Sequence, residues 1–330
     1  MKESLFHILL RALRRIFFTL RSYFIKKVYP RYKEDFNNTS EVIISLLTSD
    51  KPCMIARYGA FEISSMVNSL GVRFSPHNPF LFILGKIPEW WWLDVHLKKM
   101  KTNAGFFPSN SETIDRFTDL MLHDSAFIDL LGSWRKEELF LNKYLNNVQR
   151  VPLLTLEPFF ATVPWTIALK GKKVLVIHPF SDLIESQYNK RLLLFDNPTL
   201  LPDFTLFTIK AEQSIDGISS RFNDWFEALS AMKKQMDCID YDIALIGCGA
   251  YGFPLAAHAK RMGKKAVHLG GALQLLFGIK GKRWEDPNYA IKWHLPVDVY
   301  TKLLSRPGWV RPSDDLKPPT ANNVEGGCYW

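Results

Sequence analysis

The six residues from Arg57 to Glu62, with the sequence RYGAFE, are suited to holding a phosphate group. They follow an apolar run directly and precede a helical pattern. Gly59 permits a tight turn between the two elements, and the planar guanidinium of Arg57 fits a diphosphate. Glu62, in the first helical turn, is a candidate base, a polar ligand or a favourable charge at the helix N-terminus. The alternative is a purely structural pair between Arg57 and Glu62.

A second candidate phosphate site has the G-x-G-x-x-G spacing, at Gly247, Gly249 and Gly252. It lies between a strand-like run and a helical pattern, where glycines let the backbone approach a phosphate at the helix N-terminus. A dinucleotide-binding loop also requires an acid about 20 residues later. The stretch 267–271 contains none, which favours a nucleotide-sugar over a dinucleotide. A tight turn used only for packing is the alternative.

A third candidate site combines Gly270 and Gly271 with the basic residues Lys280 and Arg283. The glycine pair is another place where backbone amides can face an anion. The two basic side chains could neutralise a diphosphate or a lipid-linked phosphate. A solvated basic loop is the alternative.

Glu157 follows the strand predicted over 151–156 and is the second candidate general base, since a base must lie near the acceptor hydroxyl. His178 ends another predicted strand, and we interpret it as a structural residue. The spacing of the histidines matches no metal site, so no metal ligand is predicted.

The elements that must position these residues alternate along the chain. Near-continuous apolar strands separated by helices indicate a mostly parallel sheet, Rossmann-like, with helices on both faces. In such sheets ligands bind beyond the carboxyl ends of the strands. Strands are predicted over 52–57, 151–156, 173–178, 204–209, 242–246 and 266–269, and helices over 61–70, 112–131, 183–194, 221–236, 254–262 and 297–304.

The positive charge of the chain is concentrated at one end. Residues 1–33 hold nine basic residues and one acid, so they carry +8 of the net charge of +9. Leu5, Leu9, Leu13, Ile16, Phe17, Leu20 and Phe24 fall on one side of a helix, and Arg11, Arg14, Arg15 and Arg21 on the other. This pattern predicts a basic amphipathic helix, ending at Tyr29 and Pro30, on an anionic membrane surface. A helix packed on the body is the alternative.

Composition narrows the class of protein further. Beyond residue 33 the chain holds 33 basic and 32 acidic residues, so no nucleic-acid partner is expected. The four cysteines have no paired spacing, which fits a reducing cytosol. We divide the chain into the basic helix (1–33), one α/β domain (34–311) and a surface tail rich in Pro, Asn and Gly (312–330).

The turn with Arg57, Gly59 and Glu62 resembles the R-x-G-D-G-E motif of GT-D-type bacterial glycosyltransferases, which build surface glycans from nucleotide sugars. The resemblance implies a Rossmann-like core, a diphosphate contact at Arg57 and a functional carboxylate at Glu62. Ala60 stands where the family motif has an aspartate. The resemblance therefore implies a nucleotide-sugar donor, with a divalent metal (Mn or Mg) only if other ligands hold it.

These observations favour a glycosyltransferase that moves a sugar from a nucleotide-sugar to a lipid-linked or growing glycan in bacterial surface polysaccharide synthesis. We expect it in the cytoplasm, peripheral on the inner face of the plasma membrane. One alternative is an NAD(P)-dependent oxidoreductase or nucleotide-sugar-modifying enzyme. The other is a non-catalytic membrane-associated scaffold of a polysaccharide assembly complex.

Overall fold

One sheet organises the protein. The computed structural model describes residues 3–24, 35–145, 148–214 and 221–330. Within them the sheet has seven strands, all parallel, as the alternating pattern predicts. The strands are β1 (Cys53–Ala56), β2 (Leu130–Ser133), β3 (Gln149–Pro152), β4 (Lys173–His178), β5 (Thr205–Lys210), β6 (Ile243–Ile246) and β7 (Lys265–His268). Their spatial order is β3-β2-β1-β7-β6-β4-β5, so the last two strands lie between β1 and β4.

Helices cover both faces of this sheet, because successive strand residues point to opposite sides. The helices are α1 (Leu5–Phe24), α2 (Phe36–Thr48), α3 (Ala60–Phe74), α4 (Pro79–Ile83), α5 (Asp94–Ala104), α6 (Ser111–Ser125), α7 (Ser181–Tyr188), α8 (Trp225–Asp237), α9 (Gly252–Arg261), α10 (Leu273–Leu276), α11 (Lys282–Glu285), α12 (Pro287–Lys292) and α13 (Val299–Leu304). Met54 and Ile177 face α3, α5, α6, α8 and α9, whereas Ile55 and Val176 face α2, α7 and the helices from α10 to α13.

The helix predicted over 61–70 continues to Phe74, the helix predicted over 183–194 ends at Tyr188, and two further predicted elements change type before their predicted ends. The helix predicted over 112–131 ends at Ser125, and β2 follows it. Asp129 makes this turn, since its carboxylate accepts the N–H of Met54 at 2.8 Å and pairs with Lys260 at 2.6 Å. The strand predicted over 151–156 ends at Pro152, and a 3₁₀ turn takes the rest. A short apolar run fits either a buried strand or a helix, which explains both differences.

The N-terminal helix α1 packs on the body through a face that the apolar pattern does not mark. His7 stacks on the buried Trp91 with ring centroids 4.1 Å apart. Leu10 is buried, and the guanidinium of Arg14 lies 4.5 Å from the Phe82 ring. The predicted end at Tyr29 and Pro30 lies outside the described residues. No helix in the described ranges combines the length and apolar character needed to cross a bilayer.

The apolar side of α1 faces outward. A stripe of aliphatic side chains is exposed along it, formed by Leu5, Leu9, Leu13, Ile16 and Leu20. Arg11, Arg15 and Arg21 are exposed as well. The helix thus docks on the body, as the alternative interpretation proposed, while its apolar stripe stays uncovered, as the membrane interpretation requires.

Residues 312–330, expected as a surface tail, fold against the body. Four of these residues are buried in the core on the face of the sheet that contains Ile55 and Val176. They are Ala321, Val324, Cys328 and Trp330. The Trp330 indole packs edge-on against Phe180, and its N–H donates to the Leu316 carbonyl at 3.0 Å. A stretch rich in Pro, Asn and Gly indicates irregular backbone, and here that backbone carries apolar anchors.

This packing predicts that Trp330→Ala lowers the free energy of unfolding by about 3 kcal/mol, the usual cost of truncating a buried aromatic side chain. Urea denaturation measures it. The control is Leu192→Ala, because Leu192 is 72% exposed and its loss should change the stability by less than about 0.5 kcal/mol. If both substitutions lowered the free energy of unfolding by the same small amount, residues 312–330 would be a surface tail, as the sequence predicts.

Candidate functional site

A cleft of about 500 Å³ opens at the carboxyl edge of the sheet. All seven strands contribute to it through the residues that follow them, as expected for a parallel α/β protein. Arg57 follows β1, Trp134 follows β2, Leu153 follows β3, Pro179 follows β4, Glu212 follows β5, Gly247 follows β6, and Gly270 follows β7. Three of the sequence-predicted stretches therefore meet in one place.

Arg57 brings an uncompensated cation into this cleft. Its guanidinium carbon lies 5.4 Å from the centroid of the Trp134 ring. Its Nε is buried without a hydrogen-bond partner. The guanidinium forms no hydrogen bond and no ion pair with a described residue. Arg57 is half-buried, and a guanidinium in a cleft that has no ion pair with a described residue is suited to bind an anion.

Glu62 lies beside Arg57 at the N-terminus of α3. Its carboxyl folds back over Gly59, and any side chain at Gly59 would overlap it. Burial raises the pKa of Glu62, whereas the charge of Arg57 and the N–H groups of Phe61 and Glu62 act to lower it. A carboxylate of raised pKa is a stronger proton acceptor than a solvated one. The described residues include no group of three or more metal-ligating side chains.

The turns after β6 and β7 approach each other closely. A methyl group on Gly247 would lie 2.6 Å from the Gly270 carbonyl oxygen and 3.0 Å from Cδ2 of His178. Gly249 and Gly270 have φ of +56° and +63°, a conformation that favours glycine. A methyl group on Gly270 would lie 3.5 Å from Cζ of Arg57. Arg57, Gly270, Gly247 and His178 therefore form a continuous row, which we call the anion row.

The other predicted glycines serve packing. Gly252 does not line the cleft; it gives room to the His268 ring. Gly271 does line it and gives room to the Tyr329 ring. A third glycine that packs a helix on a strand is part of the dinucleotide fingerprint. The acid of that fingerprint has no counterpart here, because the last residue of β7 is His268. Burial lowers the pKa of His268 to about 3.

The two predicted basic side chains are placed differently. Arg283 lines the cleft, but it pairs with Glu325 at 2.5 Å and lies 4.7 Å from the Tyr329 ring. Its charge is thus already compensated, unlike that of Arg57. Lys280 does not line the cleft, and its backbone N–H donates to Val310 at 2.8 Å.

Glu157, the second predicted base, is buried and does not line the cleft. Its Oε2 accepts the Tyr300 hydroxyl at 2.8 Å. Burial raises its pKa to about 7, against smaller lowering effects of the Tyr300 hydrogen bond and the Arg283 charge. Among the two predicted bases, only Glu62 is in contact with the cleft.

Sequence reasoning missed an aromatic wall of this cleft. Trp134 and Trp293 line it with ring centroids 6.1 Å apart, and Tyr289 and Tyr329 line it as well. Trp134 would have been found if β2 had been recognised, since it follows directly on that strand. The other three come from residues 289–329, where no local pattern marks them.

Comparison with protein-family models, with curated proteins and with solved structures found no match to this chain.

The buried Glu157 predicts a pH dependence of stability. Its folded-state pKa lies above the ordinary 4.5, so its stabilising effect is full below about pH 4.5 and is lost as the pH rises through about 7. Glu157→Gln keeps a neutral acceptor for Tyr300. We expect its free energy of unfolding, relative to wild type, to rise by up to about 3 kcal/mol between about pH 5 and pH 8.

Urea denaturation at both pH values measures this change. Glu41→Gln, at an exposed position of α2, is the control and should differ from wild type by the same amount at each pH. A difference between wild type and Glu157→Gln that does not change with pH would show that Glu157 does not titrate in this range.

Proposed function

We propose that this protein is a glycosyltransferase that uses a nucleotide-sugar as donor. The observation that carries the proposal is the uncompensated Arg57 at one end of the anion row, inside the cleft at the carboxyl edge of the sheet. A nucleoside diphosphate is the leaving group of such a donor, and it matches the anion row in charge. The cleft volume of about 500 Å³ is in the range of small-molecule sites.

The chemistry follows from the charge that develops in the reaction. As the bond between the anomeric carbon and the phosphate oxygen breaks, its electron pair passes to the diphosphate. Arg57 stabilises that charge. The glycine turns after β6 and β7 give the diphosphate room beside Arg57, and the N–H of Gly247 itself donates to the Ile177 carbonyl at 2.9 Å. The acceptor hydroxyl forms the new bond to the anomeric carbon, and Glu62 accepts its proton. Arg57 thereby takes the charge-neutralising role that a metal has in other enzymes of this kind.

An NAD(P)-dependent oxidoreductase has less support from the same cleft. The ribose of a dinucleotide requires an acid at the end of the strand that follows the glycine loop. At that end of β7 lies the buried, neutral His268. The glycine turns are therefore better matched to the diphosphate of a nucleotide-sugar.

We also propose that the stripe on α1 binds an anionic membrane surface, at the inner face of the plasma membrane, where a lipid-linked acceptor would be reached. Leu9, Leu13 and Ile16 lie at its centre and are 56%, 41% and 55% exposed. Exposed Arg11 and Arg15 flank them, and the first 33 residues carry +8. An uncovered aliphatic stripe with adjacent arginines combines the two attractions that hold a peripheral helix on anionic lipid.

The first test is Arg57→Ala. We expect its affinity for the nucleotide-sugar that wild type binds, chosen from a panel of UDP-, GDP- and TDP-sugars, to fall roughly 100-fold. Calorimetry measures the affinity. The melting temperature should stay close to that of wild type, since Arg57 has no ion pair to lose.

Arg135→Ala is the matched control, because Arg135 lies 5.3 Å from the same Trp134 ring and does not line the cleft. It should bind the donor as wild type does. Binding of NAD(P) alone would favour the oxidoreductase. A wild-type protein that binds no member of the panel would favour a scaffold without catalysis.

The second test replaces Leu9, Leu13 and Ile16 with glutamate. The variant should fold normally, because these side chains are exposed, and should no longer sediment with phosphatidylcholine vesicles that contain phosphatidylglycerol. The control replaces Leu192 and Leu193 with glutamate and should sediment like wild type. These two residues lie elsewhere on the surface and are 72% and 64% exposed. Unchanged sedimentation of the α1 variant would refute the proposal that the stripe binds a membrane. Loss of a dimer instead would identify the stripe as an interface between copies.

A further inference from the structure

His178 occupies the end of the anion row opposite Arg57. It is the last residue of β4, lines the cleft and packs against Gly247. A histidine in such a cleft is commonly interpreted as a general base or as a cation for phosphate. The hydrogen bond that its ring makes with the backbone leads to a different conclusion.

The backbone of the next turn determines the protonation of this ring. The N–H of Phe180 donates to Nδ1 of His178 at 3.0 Å. An N–H group can donate only to a nitrogen that carries no proton, so Nδ1 is an acceptor and the proton of the neutral ring is on Nε2. Protonation of Nδ1 would place two N–H groups against each other inside the protein. The ring is therefore held neutral, with Nε2–H as its remaining donor.

The surroundings of His178 agree with a neutral ring. Burial lowers its pKa to about 3, and no neighbouring charge contributes to that shift. On the adjacent elements, Lys210 of β5 pairs with Asp182 of α7 at 2.9 Å, so these charges compensate each other. In the turn after β6, Cys248 lines the cleft, and burial raises the pKa of its thiol, so it too is neutral.

The Nε2–H group has no acceptor among the described residues, and the atom is not sealed from the cleft. We infer that His178 is a fixed, neutral hydrogen-bond donor to a phosphate oxygen of the bound diphosphate, and that it transfers no proton. Arg57 and His178 then hold one anion from its two sides, with the glycine turns between them. This inference rests on the proposed diphosphate site.

Two substitutions of His178 separate a ligand contact from a structural role. In His178→Asn the amide oxygen takes the place of Nδ1, so the acceptor for Phe180 is kept and the donor to the cleft is lost. In His178→Gln the amide nitrogen reaches the place of Nε2, so the donor is kept and the acceptor is lost. A ligand contact and a structural role thus predict opposite orders of affinity.

Calorimetry with inorganic diphosphate and with UDP tests the inference. We expect His178→Asn to bind both probes roughly 10- to 100-fold more weakly, the usual effect of losing a hydrogen bond to a charged group. His178→Gln should bind within a few-fold of wild type. The ratio of wild-type to His178→Gln affinity should be the same at about pH 5 and at about pH 8, because neither side chain titrates between them.

Three results would overturn the inference. One is wild-type affinity in His178→Asn, which makes the ring structural. Another is an affinity ratio that rises at low pH, which makes it a cation. The third is equal loss of affinity in both variants while both melt like wild type. Imidazole ¹⁵N spectra of wild type give a readout that needs no variant to fold: the Nε2–H form should persist over this pH range, and its signal should move when diphosphate is added.

The binding experiment distinguishes a failure of the proposed function from a failure of this inference. If wild type binds neither probe, the diphosphate site itself is refuted, and the role of His178 with it. If wild type binds both probes and His178→Asn binds them equally well, only the role of His178 is refuted.

Discussion

The close approach of the turns after β6 and β7 is the constraint on which the cleft depends. Neighbouring parallel strands lie about 4.8 Å apart, so their turns collide unless one lacks a side chain. At Gly247 the reason for glycine is steric, since a methyl group would meet the Gly270 carbonyl oxygen at 2.6 Å. At Gly249 and Gly270 the reason is the positive φ. Two different demands thus place glycine at one site, and Arg57 and His178 reach it from either side.

Some of the buried polar groups that lack a hydrogen-bond partner lie around the same turns. Arg57 Nε, Gln274 Oε1 and both ring nitrogens of His268 are buried without partners. Gln274 shows how this arises: its amide nitrogen donates to the carbonyls of Lys280 and Tyr329 at 3.0 and 3.1 Å, which leaves its oxygen alone. Each such group costs about 1 to 3 kcal/mol in a folded protein. Such groups also occur away from the cleft, for example at Ser65 and Tyr241, so it is their position beside the cleft that makes Arg57 and Gln274 candidates to bind a ligand.

The sequence predicts most of the sheet, because five of the six expected strands lie within one residue of their observed ends. It also predicts which turns meet, since parallel strands share a carboxyl edge. It places Glu157 at that edge only because it extends β3 to residue 156. The strand ends at Pro152, and the 3₁₀ turn after it carries Glu157 into the core. Tyr329 escapes prediction for another reason, because it reaches the cleft through contacts with the distant Gly271 and Arg283.

Amphipathic periodicity separates the two sides of α1 but does not say which side docks. Ring stacking decides this, because His7 matches the flat face of Trp91, whereas the aliphatic stripe has no such partner. Trp91 is in turn held by α3, where the Asn68 amide donates to its carbonyl at 2.8 Å. Helix α3 begins at the Gly59 turn, with Glu62 in its first turn. Helix α3 therefore connects the residues that α1 packs on to the cleft, and it sets the position of the cleft relative to any surface that covers the stripe.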